Sequence, residues 1–342
     1  MKFAIGTTAA AVALAGCSSS STPSGSTSSS GGSGLKVGMA YDVGGRGDQS
    51  FNDAAAAGLD KAAKELGVTS KEAAATNGEA ESAREERLQQ LIDAGYTSIV
   101  AVGFAYAPSV AKVAKANPKV KFALVDSTDA KGDNIESITF AEHEGSYLVG
   151  AAAALKSKTN HIGFVGGVET DLIKKFEAGY VAGAKAVNAA ITVDKKYLTQ
   201  PPDFSGFSSV DKGENAAKGM YDAGADVVYH AAGGSGGGVF KAAKAAGKLA
   251  IGVDSDQAAS PALAGVKDVI ITSMIKKVDV GVYDFIKSVK DGTFKAGEKA
   301  FNLKAGGVDY STTGGKVDDI KAKLDDYKKK ISDGTITVPS KP

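Results

Sequence analysis

From Leu35 onward the apolar positions follow two alternating rhythms. Short, nearly continuous apolar runs predict strands at 35–43 (LKVGMAYDV), 97–103, 120–127, 136–140 and 161–167 (HIGFVGG). Further strands follow at 192–199, 226–230 (DVVYH), 249–255 and 268–273. Between them, apolar residues recur at helical spacing over 51–67, 79–95, 108–118, 145–156, 170–190, 212–223, 238–246 and 278–291. A charged helix is expected near 317–332. Gly67 and Gly95 stand where a left-handed cap can end a helix, and Asn117-Pro118 stops another. Strict strand–helix alternation implies βαβ units and parallel sheets. Runs with little polar alternation fit strands buried on both faces. About 300 residues are too many for one such sheet. The similar openings KVGMAYDV (36–43) and NHIGFVGG (160–167) suggest two doubly wound lobes.

The first 34 residues break this rhythm. Met1-Lys2 is a minimal positive start, and residues 3–16 are small and apolar. That stretch is shorter than the roughly 20 residues a bilayer-spanning helix needs, and it suits the apolar region of a signal peptide. It ends Leu14-Ala15-Gly16-Cys17, which resembles the bacterial lipobox, whose cysteine is diacylated and becomes the new N-terminus. Residues 18–34 are all Ser, Thr, Gly or Pro. They have no apolar surface to bury, and as a flexible coil they reach roughly 20–25 Å. The pattern describes a signal peptide over 1–16, then a lipidated Cys17 with a tether over 17–34. A folded body is thereby held at the extracytoplasmic face of the cell membrane.

Composition narrows the function. Forty basic side chains face 39 acidic ones, so no general electrostatic grip on nucleic acid is expected. Cys17 is the single cysteine, which excludes an intrachain disulfide and a cysteine-cluster metal site. The three histidines, His143, His161 and His230, have no metal-motif spacing. Gly233-Gly234-Ser235-Gly236-Gly237 matches the letters of a nucleophile elbow, but no Asp–His pair follows it. The same glycines lack the Gly-Lys-Ser/Thr that closes a P-loop. Arg46-Gly47-Asp48 matches an adhesion tripeptide, a pattern common by chance. No enzyme, cofactor or metal is expected.

In open α/β sheets, ligands bind beyond the carboxyl ends of the strands. There the chain places its informative residues. Asp42-Val43-Gly44-Gly45 begins a loop that reaches Ser50, a candidate cap for the next helix, and then Phe51 and Asn52. Asp126-Ser127, Asp203-Phe204-Ser205-Gly206-Phe207, the glycine run at 233–238, Asp254-Ser255-Asp256-Gln257 and Lys276-Lys277 follow other strands.

Taken together, YDVGGRGDQSFNDAAAAGL (41–59), GFVGGVETDLIKKFEAGYVAGAKAVN (163–188), AAGGSGGGV (231–239), GVDSDQ (252–257) and TSMIKKVDVGVYD (272–284) resemble the basic membrane protein family of substrate-binding lipoproteins. The resemblance covers the chain from 35 to about 335. It implies a type I periplasmic-binding-protein fold serving an ABC importer, with a monomeric chain capturing a nucleoside, most simply a purine nucleoside. Phe51 and Phe207 look like the rings that sandwich the base, with Phe204 as the rival for the second. Asp42, Asn52 and Asp126 look like a polar rim near the base. Asp254 and Lys276 look like the ribose clamp, with Gly233 or Gly234 offering backbone near the sugar.

The expected partners are the nucleoside, the permease and ATPase subunits, and the membrane through the anchor. The expected lobes are 35–140 plus about 267–292, and 141–266 plus about 293–342, with hinges near 139–142 and 266–268. A ligand-sensing lipoprotein of the same fold, or a binder of a sugar or other small solute, is the alternative. A repressor of the two-lobed type would need a DNA-binding head where this chain has its lipobox and spacer.

Overall fold

Two parallel sheets, each layered between helices, face one another in the computed structural model, which describes residues 34–342 as one compact unit. The expected signal peptide, Cys17 and nearly all of the tether lie outside the described residues.

The first lobe is built from β1 (Lys36–Tyr41), α1 (Phe51–Leu66), β2 (Thr69–Ala74), α2 (Glu81–Asp93), β3 (Ser98–Val102), α3 (Ala107–Ala116), β4 (Lys121–Val125) and β5 (Ile135–Phe140). The second is built from α4 (Glu142–Lys156), β6 (His161–Val168), α5 (Asp171–Val187), β7 (Thr192–Thr199), α6 (Val210–Asp222), β8 (Val227–Ala231), α7 (Gly236–Ala246), β9 (Leu249–Asp254) and β10 (Ile270–Lys276). Then α8 (Val278–Lys290) and β11 (Gly297–Phe301) return to the first lobe. Finally β12 (Val308–Tyr310) and α9 (Lys321–Ser332) rejoin the second.

The first sheet runs β11-β5-β4-β3-β1-β2, with every pair parallel. The second runs β12-β10-β9-β8-β6-β7, and only β12 is antiparallel to its neighbour. The central strands are buried along their whole length, as SIVAV and VVYHA show. Such strands keep both faces apolar because helices cover both sides.

The expected lobe exchange at 267–292 is corrected by the sheet pairing. Strand β10 lies beside β9 in the second sheet, and the change of lobe comes after Lys276. Helix α8 then packs on α1. Segment 297–301, expected in the second lobe, completes the first sheet beside β5. The chain therefore crosses between lobes three times, at 140–142, 276–278 and 301–308. The reason is physical: β10 is apolar enough to be an inner strand, while GEKAF suits an edge.

Helices α4 and α5 cross in direct backbone contact. A Cβ at Gly150 would sit 2.1 Å from the Tyr180 carbonyl oxygen, and one at Gly183 would sit 1.9 Å from that of Tyr147. This crossing fixes Glu142 at the start of α4 relative to Phe176 on α5, and both serve the cleft between the lobes.

Candidate functional site

The strand ends converge on one cavity, and concave sites at strand ends are where ligands bind in such folds. Of the residues expected from sequence, Asp42, Phe51, Asn52, Asp126, Phe207, Gly233, Asp254 and Lys276 line it. Gly234 does not; it lies against the Phe207 carbonyl and Asp48. Phe204 does not either. Its ring meets Phe104 edge-on at 6.0 Å and lies under the Arg84 guanidinium, closing the rim between the lobes.

Phe51 comes from α1 in the first lobe and Phe207 from the second. Gly167 seats the Phe207 ring, because a Cβ there would fall 2.5 Å from its Cδ1. Gly103 does the same for Asp42, whose Oδ2 would lie 2.6 Å from an added Cβ. Neither glycine can be enlarged without displacing a cavity side chain.

The loop before α1 is built by its carboxylates. Asp48 accepts the backbone N–H groups of Ser50, Asn52 and Asp53 at 2.9, 2.9 and 3.1 Å, and the Asn52 amide at 3.1 Å. Asp48 therefore does the capping expected of Ser50. The Ser50 hydroxyl is instead donated across the cleft to Asp254 Oδ2 at 2.5 Å. Asn52 turns its side-chain oxygen inward to accept the Asp42 N–H at 3.1 Å, so it holds the Asp42 backbone in place.

Lys276 is the buried cation of the cleft. Its ammonium donates to Asp126 Oδ2 at 2.6 Å and stands 3.2 Å from Glu142 Oε1. The rings of Phe51, Phe140 and Phe176 surround it at 5.0–5.6 Å. Asp254 and Lys276, expected together at the sugar, both line the cavity but take different protein partners. Lys276 is satisfied by Asp126 and Glu142, and Asp254 by Ser50. Burial alone would depress the Lys276 pKa, but Asp126, Glu142 and Asp254 more than offset it and hold the ammonium above its ordinary value. Asp126 keeps one oxygen without a protein partner. Asp126 and Asp254, at the ends of β4 and β9, both adopt left-handed backbone (φ 67° and 65°). A non-glycine residue held there marks local strain of the kind found at ligand sites.

Burial pushes the carboxyl groups of Asp42, Asp48, Asp126 and Asp254 up to about 6. Hydrogen bonds to backbone or Ser50, or the Lys276 charge, pull each part of the way back. The cleft thus concentrates acceptors around a single ammonium.

Sequence reasoning passed over Asp48, Phe104, Glu142, Leu172, Ile173 and Phe176. Glu142 could have been found, since it directly follows a strand. Phe176 lies inside one of the family-like motifs, but its helical spacing reads as core.

Other motifs resolve into structure. Arg46 is held by Asp60 and Glu72 and Asp48 is buried, so Arg46-Gly47-Asp48 is not displayed for adhesion. The Ser235 hydroxyl donates to the Gly206 carbonyl at 2.8 Å and accepts the Ser209 N–H at 2.8 Å, a structural tie. Among the described residues, no cluster of His, Cys, Asp and Glu could hold a metal ion, and no helix is long and apolar enough to cross a membrane.

Two lobes, three crossings and a cavity at the strand ends define a two-lobed solute-binding protein. The model of the family described as "ABC transporter substrate-binding protein PnrA-like" matches residues 35–341. The chain is 38% identical to a CD4+ T-cell-stimulating antigen of Listeria innocua over 98% of this chain and 96% of that one. It is 40% identical to an ABC transporter nucleoside-binding protein of Lactococcus lactis over 90% of each. A solved ABC transporter solute-binding protein of Aeropyrum pernix superposes with a TM-score of 0.78 at 30% identity, over 90% of this chain and 93% of that one. The chain belongs to this PnrA-like family. It is an extracytoplasmic substrate-binding lipoprotein that works with the permease and ATPase subunits of an ABC importer.

Proposed function

We propose that this chain captures a nucleoside, with a purine as the best-fitting base, and delivers it to the importer. The observation that carries this reading is the placement of Phe51 and Phe207, from opposite lobes, on one cavity whose remaining polar groups are mostly carboxylates. A nucleoside offers two aromatic faces, a hydrogen-bonding base edge and a vicinal diol. Stacking on each ring contributes on the order of 1 kcal/mol beyond area burial. Hydroxyl and amino donors of the ligand would meet Asp42, Asp126 and Asp254, and charge-assisted bonds are the stronger class. Lys276 is the donor for a sugar oxygen, while Gly233 lends backbone nearby. The Lactococcus lactis relative, described as nucleoside-binding, supports the same reading.

The test is calorimetric titration of the purified chain with purine and pyrimidine nucleosides, free bases and sugars. Saturable heat with nucleosides supports the proposal. Binding of sugars alone, with none of nucleosides, overturns it.

A further inference from the structure

Next to the cavity, but outside its lining, one residue gathers an unusual number of bonds between the lobes. Gln49, in the loop of the first lobe, has left-handed backbone (φ 58°). Its carbonyl accepts the Ser255 hydroxyl at 3.1 Å and the Gln257 side-chain amide at 2.9 Å. Its side-chain oxygen accepts the Ser260 hydroxyl at 2.7 Å. All three donors belong to the segment after β9 in the second lobe. The adjacent Ser50–Asp254 bond crosses the same gap in the opposite sense, with Ser50 of the first lobe as the donor.

Both halves are shaped in advance. In the first lobe, Asp53 accepts the Gln49 N–H at 3.0 Å and the Gly47 N–H at 2.6 Å, which fixes the bend that presents the Gln49 carbonyl. In the second, Gln257 Oε1 accepts the Val253 N–H at 2.9 Å, so its other end must be the donor. His230 Nε2 lies 3.0 Å from the same oxygen and must carry the proton there. Burial lowers the His230 pKa to about 4, consistent with a neutral ring in this tautomer. Gly236 leaves room for that ring, since a Cβ there would overlap it at 1.9 Å. Each lobe thus spends its own bonds on aiming a group that only the other lobe can satisfy.

We infer that Gln49, with Ser255, Gln257 and Ser260, is a latch that sets how long the lobes stay shut, and so sets ligand affinity without touching the ligand. This rests on the proposed nucleoside function only for the identity of the ligand. Gln49, Ser255 and Ser260 line an outer groove and not the ligand cavity. Open lobes would expose all four groups to water, so the latch acts on the closed state. A ligand needing closed lobes binds with an apparent affinity scaled by the closed fraction.

The test is the double variant Ser255→Ala/Ser260→Ala in the full chain. Removing two neutral hydrogen bonds should weaken nucleoside affinity roughly tenfold. The change should fall on the dissociation rate, leaving the ranking among nucleosides unaltered. Ser255→Thr/Ser260→Thr keeps both hydroxyls and should restore slow release.

A second arm needs no ligand. Spin labels at Lys115→Cys on α3 and Asn215→Cys on α6, in a Cys17→Ser background, report the distance between the lobes. The alanine pair should move the ligand-free distance distribution toward longer values. An unchanged distribution, whether open or closed in both chains, overturns the latch. If the distribution shifts but no nucleoside binds either chain, the latch stands and the nucleoside assignment falls.

Discussion

At the scale of single residues, Lys276 carries the greatest electrostatic weight. Its ammonium is the partner of two buried carboxylates, Asp126 and Glu142. Removing one member of such a cluster leaves the others uncompensated, at a cost of about 3–5 kcal/mol. Lys276→Met should lower the unfolding free energy by that order at pH 7, read by urea denaturation. The loss should shrink at pH 5, where protonation relieves the stranded Asp126. Equal losses at both pH values would mean the site tolerates uncompensated charge.

The two phenylalanines of the FSGF segment make a second test. Phe207→Ala and Phe51→Ala should each weaken nucleoside binding by at least tenfold in calorimetry. Phe204→Ala, which removes a rim contact with Phe104, should weaken it less than Phe207→Ala does. The reverse order would exchange the roles of the two rings.

At the scale of elements, the tightest joint is the crossing of α4 and α5, where glycines let one backbone touch the other. Gly183→Ala would drive a methyl group into the Tyr147 carbonyl, so the helices must part and carry Glu142 away from Phe176. A melting temperature lowered by several degrees is expected by differential scanning calorimetry. An unchanged value would show that the helices can shift without cost.

This scale also explains what the sequence discloses. Inner strands such as SIVAV and VVYHA announce themselves, because burial on both faces leaves few polar positions and no Asp, Glu, Lys or Arg. The edge strand TSKEAA, most of it exposed, follows neither rhythm and was passed over. So were GEKAF and VDY, and with them the true course of the chain between lobes. Cavity residues at strand ends were legible because topology sends such ends to the cleft. Their pairing was not. Whether Lys276 meets Asp126 or Asp254 depends on how two lobes close, and no local pattern records that.

At the scale of the whole molecule, the near-neutral chain hides a locally acidic cleft. Asp42, Asp48, Asp126 and Asp254 line the cavity with Lys276 as the one cation, and Glu142 stands behind it. A phosphate group on the ligand would add negative charge to a surplus of the same sign. Nucleoside 5′-monophosphates should therefore bind far more weakly than the parent nucleosides in the same titration. Equal affinity would place the sugar end of the ligand in solvent, away from these carboxylates.

The same four carboxylates set a pH dependence. Their folded values near 6 lie above the ordinary 3.8, so between about pH 4 and 6 the folded chain holds more protons than the unfolded one. Stability from this source rises on acidification through that window. His230, lowered to about 4, and His143, also lowered, act in the opposite sense but are fewer. The ligand-free chain should melt at a higher temperature at pH 5 than at pH 7, and Asp126→Asn should flatten the difference. A lower melting temperature at pH 5 would mean that these carboxylates are better solvated than their burial implies.

The three crossings also bear on the order of synthesis. The first sheet lacks an edge until β11 at residue 301 arrives, and the second lacks one until β12 at residue 310. A chain delivered N-terminus first through a membrane pore thus has neither lobe complete until most of its 342 residues have passed. Completion of both sheets waits on the same C-terminal stretch of the chain. Chains truncated at residue 292 should stay protease-sensitive in both halves, whereas chains ending at residue 335 should be protected in both.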